Sequence, residues 1–148
     1  MKSMNNLAFE SMIEYYESIH DTKYREMHLT LLRRGYELGF DISLYADPRF
    51  ENEQLNIIFD GLHKGLDVKL YADIEMDSFQ MDEIRDGLKE GLDMSICADA
   101  KFPWYVMHFT RICLAHNCDT KLILDETLTF EQAHDIMRKL IPNWTTSK

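Results

Sequence analysis

The sequence predicts an all-α fold: a short α-solenoid of about four to five 26-residue units, preceded by an N-terminal capping helix. Three observations predict it. One block recurs without a gap at a shift of 26 residues, apolar residues ahead of each block are spaced by three and four, and glycine and aspartate hold fixed places in the block. Repetition at this period is typical of stacked helical repeats, in which each copy packs mainly on its neighbours.

The block has four copies. They read GYELGFDISLYAD from Gly35, GLHKGLDVKLYAD from Gly61, GLKEGLDMSICAD from Gly87 and a degenerate CLAHNCDTKLILD from Cys113. Upstream of the first three blocks, and again near the C-terminus, apolar residues share one helical face: Leu29, Leu32 and Tyr36; Leu55, Ile58 and Leu62; Met81, Ile84 and Leu88; Ala133, Ile136 and Leu140. Each unit is therefore predicted to hold a long helix of about 14 residues, a turn and a one-turn helix.

Two places in the block are held by glycine in three of the four copies, and each has its own expected role. The later place is asparagine in the fourth copy: Gly39, Gly65, Gly91 and Asn117. Gly and Asn most readily adopt the left-handed conformation that ends a helix, so we expect a C′ cap there. The earlier place holds small residues inside the long helix: Gly35, Gly61, Gly87 and Cys113. We expect a neighbouring helix to approach closely at these positions.

Two aspartates, six residues apart, also recur in every copy. The first is expected to N-cap the one-turn helix: Asp41, Asp67, Asp93 and Asp119. The second is expected to begin the next long helix: Asp47, Asp73, Asp99 and Asp125. A calcium site or an acid–base pair is the alternative, but a calcium loop needs more oxygen ligands and a glycine turn, and the residues between these aspartates are largely apolar. We therefore favour capping.

The chain is predicted to form a single helical-repeat domain over residues 1–148, because it is too short for two ordinary domains. Within it we assign 1–21 to an N-terminal cap, 22–125 to the repeats and 126–148 to a C-terminal capping helix and tail.

Both ends depart from the repeat. The segment from Asn5 to Ile19 has apolar residues at helical spacing but does not fit the block, so we expect it to cover the first unit. Near the C-terminus, Thr129 and Gln132 form a capping box ahead of the last helix, and Pro142 ends it.

The third copy carries a resemblance to known sequences. With its upstream helix it reads QMDEIRDGLKEGLDMSICAD, from Gln80 to Asp99. This resembles the tandem GLxxGLDVSxYAD repeats, commonly preceded by QMxEIR, of uncharacterised proteins from gut Firmicutes and their mobile elements. The resemblance covers about residues 28–140. It implies a phage or mobile-element protein and supplies no catalytic residues.

The charge of the chain is unevenly distributed. The formal net charge is −10, and residues 41–100 hold fifteen acidic and five basic side chains, whereas the two flanking segments nearly cancel. A direct nucleic-acid binder needs the opposite sign, so nucleic acid is excluded as the expected ligand. No run approaches the roughly 18 apolar residues of a membrane span, and no signal peptide is visible. A cytoplasmic location is the expectation, with no membrane contact.

The three cysteines predict neither disulfides nor a metal site, because their number is odd and no CxxC pair occurs. Cys113, His116 and Cys118, with His108 upstream, could be assembled into a zinc site or a Cys/His nucleophile. Their spacing matches no metal signature, so we favour core packing. Phosphate-binding glycine loops and nucleophile elbows are also missing from the sequence. We therefore expect no catalytic residues, no metal, no cofactor and no enzyme activity.

Two further residue types recur at the repeat period. Gln54, Gln80 and Gln132 share one place, where we expect a ladder of amides bonded between stacked helices. Tyr45 and Tyr71 share another place with Cys97 and Ile123, so we expect apolar core with each phenol bonded to a local partner.

Acidic side chains of the long helices form the candidate binding surface, called here the acidic ridge. They lie off the apolar stripe and are expected to face water: Glu53, Asp60, Asp82, Glu83, Asp86 and Glu90. Asp60 and Asp86 are one repeat apart, which predicts helices about 8 to 10 Å apart. The simplest alternative is a solvated surface that aids solubility.

The expected function is non-enzymatic binding of a protein with a basic surface, such as a nucleic-acid-binding protein. Its most specific form is a phage-type, anti-CRISPR-like inhibitor that blocks the nucleic-acid groove of a host defence nuclease, with carboxylates in the place of phosphates. A scaffold or assembly module is the alternative, and an enzyme of unrecognised type is third. The oligomeric state is left open.

Overall fold

A computed structural model describes residues 5–19 and 25–144. Within these ranges the chain is all-α, as predicted, and has no strand. The α-helices are α1 (Asn6–Ser18), α2 (Arg25–Leu38), α3 (Asn52–His63), α4 (Ser78–Lys89), α5 (Trp104–Ala115) and α6 (Phe130–Leu140). One-turn 3-10 helices follow α2, α3 and α4: Ile42–Leu44, Val68–Leu70 and Met94–Ile96.

The helices fall into two compact units, Met1–Ile74 and Glu75–Lys148. In the first unit, α2 packs against both α1 and α3. In the second, α5 packs against both α4 and α6. Within each unit, the middle helix therefore contacts both of its sequence neighbours, as expected for local helical pairing. The single-domain assignment stays a prediction.

The N-terminal helix begins and ends within one residue of the predicted segment. Asn5 is the N-cap and accepts a hydrogen bond from the amide of Ala8 at 2.8 Å. Phe9, Ile13 and Tyr16 recur at steps of three and four, and they are the buried residues of α1. The packing of this face on α2 supports the prediction that α1 covers the first unit.

The predicted C′ caps are confirmed at all four positions. The left-handed residues are Gly39 (φ 79°), Gly65 (φ 69°), Gly91 (φ 76°) and Asn117 (φ 56°). The next residue donates its amide back to the carbonyl five positions earlier, as Leu66 does to Gly61 at 2.9 Å and Cys118 to Cys113 at 2.8 Å. This is the Schellman arrangement, which satisfies helix carbonyls that lack an intrahelical donor.

The glycine inside each of α2, α3 and α4 faces the one-turn helix of its own copy rather than the next long helix. A Cβ added at Gly61 would overlap the Tyr71 hydroxyl oxygen and lie 2.7 Å from Cγ1 of Val68. The Tyr71 hydroxyl donates to the carbonyl of Ile57 at 3.1 Å, so the bare glycine admits a buried, bonded phenol. Tyr45 bonds Leu31 in the same way at 2.6 Å. The predicted local partner of the phenols is therefore a helix carbonyl.

The first aspartate of the block accepts a hydrogen bond from the amide two residues on in three copies. Asp41 and Asp93 accept from the amides of the serines two residues on, at 3.3 and 3.2 Å, and Asp119 accepts from Lys121 at 2.9 Å. Asp67 makes no such side-chain bond. Capping of a one-turn helix is thus confirmed for Asp41 and Asp93, whereas Asp119 precedes a turn rather than a one-turn helix.

The prediction that the second aspartate begins the next long helix is wrong. Asp99 accepts from the amide of Lys101 at 2.9 Å and opens a turn closed by Phe102, whereas Pro103, four residues on, caps α5. The other caps lie at the same offset: Glu51, Asp77 and Thr129. Asp bonds its own backbone two residues on as readily as it caps a helix, and here the chain must turn before α5 can begin.

The recurring glutamines close capping boxes rather than an amide ladder. Gln54, Gln80 and Gln132 each accept from the N-cap amide through the side-chain oxygen, at 2.8 to 2.9 Å. Gln80 also donates to the carbonyls of Ala100 and Phe102, at 3.0 and 2.7 Å. It therefore ties α4 to the turn that precedes α5, through backbone carbonyls rather than another amide.

Candidate functional site

The acidic ridge is distributed over both compact units. Glu53 and Asp60 lie on α3 in the first unit, whereas the other members lie on α4 or cap its end: Asp82, Glu83, Asp86 and Glu90. The expected spacing between Asp60 and Asp86 stays a prediction. The geometry of each unit shows what the carboxylates contact.

Glu83 does not face water, so its assignment to an exposed ridge is wrong. Its side chain is 14% exposed, and its Oε2 lies 3.0 Å from Nδ1 of His108 and 3.1 Å from Nε of Arg111, both on α5. Burial by itself raises the pKa of Glu83, but the hydrogen bond from His108 and the charges of His108 and Arg111 outweigh it, so the pKa lies below its ordinary value. An ionised Glu83 only accepts, so Nδ1 of His108 carries the proton of that bond.

A sequence signal for this burial exists in the repeat itself. The positions equivalent to Glu83 in the other copies, at multiples of 26 residues, hold Leu31, Ile57 and Phe109, and all three are buried. Glu83 thus replaces a core residue of the other copies. Its two cationic partners follow 25 and 28 residues later, on α5, where helical periodicity within α4 gives no information about them.

The other ridge carboxylates of the second unit are paired as well. Arg85 lies 2.9 Å from Asp82 and 3.4 Å from Asp86, and Arg111 reaches Glu90 at 3.1 Å. Four carboxylates against two guanidinium groups give these side chains a formal charge of −2 in this part of the ridge. The side chains of Asp82, Asp86 and Glu90 remain 45, 40 and 46% exposed. The arginines therefore hold partly exposed carboxylates in place.

The structure also brings together an exposed row of aromatic side chains that sequence reasoning missed. We call Phe79, Trp104 and Phe130 the aromatic row. Phe79 lies in the first turn of α4, and Trp104 and Phe130 begin α5 and α6. Ring centroids are 6.4 Å apart from Phe79 to Trp104 and 6.2 Å apart from Trp104 to Phe130. The three side chains are 66, 40 and 44% exposed.

The row rests on a bonded and packed base. The hydroxyl of Tyr105 donates to the carbonyl of Leu128 at 2.6 Å, and its ring meets Phe130 edge-on at 5.6 Å. Phe130 also packs on buried Phe109, with ring centroids 5.7 Å apart. Exposed aromatics on a rigid base are typical of protein interaction surfaces.

The cysteines behave as packing residues. Burial raises the pKa of the Cys97 thiol to about 12 and that of the Cys113 thiol to about 11, so neither forms the reactive thiolate at neutral pH. Cys113 lies 3.5 Å from the sulfur of Met137 in the core shared by α5 and α6. Across 5–19 and 25–144, no three His, Cys, Asp or Glu side chains are grouped so as to hold a metal ion.

A groove of about 560 Å³ lies beside α5 in the second unit. Its lining includes Glu90 and Arg111, which bond each other, and His116, whose Nδ1 lies 3.2 Å from the carbonyl of Ile112. These polar groups are engaged within the protein.

None of the described helices combines the length and the apolar character that crossing a bilayer requires. Comparison of the chain with protein families, with curated proteins and with solved structures finds no match.

Proposed function

We propose that this chain is a non-enzymatic, cytoplasmic binding protein that presents an acidic face to a basic surface of a partner protein. The observation that carries the proposal is the segregation of charge: fifteen acidic against five basic side chains between residues 41 and 100. Clustered charge of one sign speeds encounter with a surface of the opposite sign. Carboxylates that stay partly exposed while an arginine fixes them, as Asp82 and Asp86 do with Arg85, suit such a face.

The architecture proposed for this function is a short α-solenoid in which successive 26-residue copies stack in register. Its support is local: left-handed caps recur at Gly39, Gly65, Gly91 and Asn117, and each α-helix packs on its sequence neighbours within a unit. Stacked copies would place equivalent carboxylates, such as Asp60 and Asp86, at a regular spacing along one face.

The most specific form of the proposal is a phage or mobile-element inhibitor that occupies the nucleic-acid groove of a host defence nuclease. Carboxylates on a rigid face would take the places of phosphates there. The resemblance of Gln80–Asp99 to repeats of mobile-element proteins supports this form. Nucleic acid itself is not a ligand in this account, because the chain and the phosphate backbone carry the same sign of charge.

The test is inhibition of nucleic-acid cleavage by a panel of purified bacterial RNA-guided and restriction nucleases. The proposal predicts stoichiometric inhibition of at least one nuclease, relieved by excess duplex DNA and by salt. The double variant Asp60→Lys, Asp86→Lys should weaken inhibition at least about tenfold, because it reverses charge on the proposed face. A control with the same charge change, Glu10→Lys with Glu14→Lys, alters exposed α1 positions outside the acidic segment.

Each outcome of that test bears on the proposal. If both double variants weaken inhibition equally, the effect depends only on net charge, and the proposal of a defined acidic face is rejected. A panel without any inhibited nuclease would reject the groove-blocking form.

An assembly module without inhibitory role is the second candidate, and the exposed rings of Phe79 and Trp104 favour it. In that case the acidity serves solubility only. Sedimentation equilibrium separates the two functions, because a module that assembles through these rings forms concentration-dependent oligomers that Trp104→Ala disrupts.

A further inference from the structure

We propose that the aromatic row binds an extended segment of the partner protein that carries arginine at alternate positions. This inference rests on the proposed function, since it names the chemistry by which a basic partner would be held. The row lies entirely in the second unit, at the N-terminal ends of α4, α5 and α6. Glu53 and Asp60, on α3, belong to the first unit.

The spacing of the rings points to an extended chain. Successive centroids in the row are 6.4 and 6.2 Å apart. In a β-strand, side chains on one face recur every second residue, which is about 6.6 Å along the chain. Three rings in a row can thus each meet one of three alternate side chains. A helical segment presents neighbouring side chains three and four residues apart, in a stripe that winds around it, and so matches successive rings less well.

The tilt of the rings argues against a flat ligand held between them. Adjacent rings meet at 42° and 38°, so they do not form the parallel walls that would sandwich a nucleobase. All three side chains are partly exposed, and Phe79 is the most open at 66%. Guanidinium groups stack on aromatic faces, because the ring face is electron-rich and the guanidinium is planar and weakly hydrated.

Acidic side chains near the row can receive a cationic occupant. Asp82 lies one helical turn beyond Phe79, and exposed Glu131 follows Phe130 directly in α6. Asp135 is 68% exposed beside Arg138, whose guanidinium lies 4.0 Å away.

Positive groups near the row are partly engaged within the protein. Arg85 is bonded to Asp82, and Lys101, three residues before Trp104, lies over the ring of Phe102 at 5.2 Å. An arginine-bearing segment would find both ring faces and carboxylates along its path.

The histidines behind the row fix the ring positions. His108 lies one turn beyond Trp104, with ring centroids 6.2 Å apart, and its Nδ1 is held by Glu83. His134 stands in the same relation to Phe130, with ring centroids 6.0 Å apart and an interplanar angle of 28°. Trp104 and Phe130 are thus preorganised, which lowers the entropy lost when a partner binds.

Two other occupants are less compatible with the chain. A nucleic acid is repelled by the net charge of −10, and the same charge opposes close approach of a second copy of this chain. Both are outcomes of the experiment below.

The experiment measures binding of three blocked heptapeptides to the full chain at 50 mM salt, by chemical-shift changes of the Trp104 indole. The first peptide carries arginine at alternate positions separated by serine, the second carries lysine at those positions, and the third carries the same number of arginines at every third position. The proposal predicts that the first binds at least about threefold more tightly than each of the others.

Variants locate the binding surface. Trp104→Ala should weaken binding of the first peptide about fivefold, and Phe79→Ser, at the most exposed ring, about threefold, with helicity unchanged in both. For these variants the shift of other amides replaces the indole signal. Leu122→Ala is the matched control, because Leu122 is 64% exposed in the same unit but outside the row, and it should leave affinity within twofold.

Several results would overturn the inference. Equal affinity of the lysine and arginine peptides would contradict stacking of guanidinium groups on the rings. Equal affinity of the two arginine peptides would contradict recognition of an extended segment. A dimer in sedimentation that Trp104→Ala dissociates would assign the row to a second copy. Single-stranded DNA that displaces the peptide by binding the row would assign it to nucleic acid. Peptide binding without inhibition of any nuclease would support this inference and reject groove blocking. Nuclease inhibition that variants of the row leave unchanged would support groove blocking and reject this inference.

Discussion

Substitution of Gly61 by alanine probes the packing that defines one copy of the repeat. Alanine is favoured over glycine within a helix by about 0.5 to 1 kcal/mol. The new Cβ would, however, overlap the hydroxyl oxygen of Tyr71 and crowd Val68. Displacing this buried phenol breaks its hydrogen bond to the carbonyl of Ile57, which costs about 1 to 3 kcal/mol of stability. The added Cβ also overpacks the core, which costs about 1 to 3 kcal/mol more. We expect a net loss of about 2 to 4 kcal/mol.

The third copy supplies the matched control. A Cβ at Gly87 would overlap the buried side chain of Met94, which is unbranched and makes no side-chain hydrogen bond that a shift would break, so Gly87→Ala should lower the free energy of unfolding less than Gly61→Ala does. The assay is urea unfolding followed by circular dichroism. Adding Tyr71→Phe to Gly61→Ala should recover part of the loss, because it removes the overlapping oxygen. Equal effects of Gly61→Ala and Gly87→Ala, or no recovery in the double variant, would refute the packing described here.

Three further predictions concern caps, pH and thiols. Asp93→Ala should lower the free energy of unfolding by about 1 kcal/mol and Asp67→Ala by clearly less, because only Asp93 bonds the amide two residues on; equal losses in urea unfolding would contradict this. The pKa of Glu83 is lower folded than unfolded, so its stabilisation is complete above its ordinary value of 4.5 and is lost as pH falls through the folded value. Glu83→Gln should therefore flatten the loss of stability between about pH 5 and pH 3 in thermal scans, and an unchanged slope would count against the ion network. With a thiol reagent at pH 8, partly exposed Cys118 should react well before Cys113, whose thiol pKa is about 11; the reverse order would show that Cys113 is accessible.

Features that depend on a few adjacent residues could be predicted from the sequence. The left-handed caps follow from glycine and asparagine at one position, because few other residues tolerate positive φ. The capping box of α6 follows from Thr129 and Gln132 at the required spacing, and both bonds are present, at 2.9 and 3.1 Å.

The structural role of a residue was harder to predict where its side chain suits two local conformations. Asp99 suits both a helix N-cap and a turn that bonds its own backbone, and the sequence around it does not decide between them. The structure uses the turn, and α5 begins after Pro103 instead.

Contacts between helices account for the largest errors in the candidate site. Glutamate usually lies at the surface, but Glu83 is bonded within the protein by His108 and Arg111 of α5. The aromatic row was missed because Phe79 is offset by one residue from the 26-residue relation that links Trp104 to Phe130, so aligning the copies does not bring the three together. Only the packing of α4, α5 and α6 does.

The central claim, that an acidic face of this chain recognises a basic protein surface, is tested most directly by the salt dependence of one binding constant. The measurement is the dissociation constant for the chain and a nuclease it inhibits, from 50 to 500 mM sodium chloride, for the wild type and for Asp60→Lys with Asp86→Lys. We predict that wild-type affinity falls at least about tenfold over this range and that the double variant shows a weaker affinity with a shallower salt dependence. Affinity that stays constant with salt, or that the two charge reversals leave unchanged, would contradict the claim.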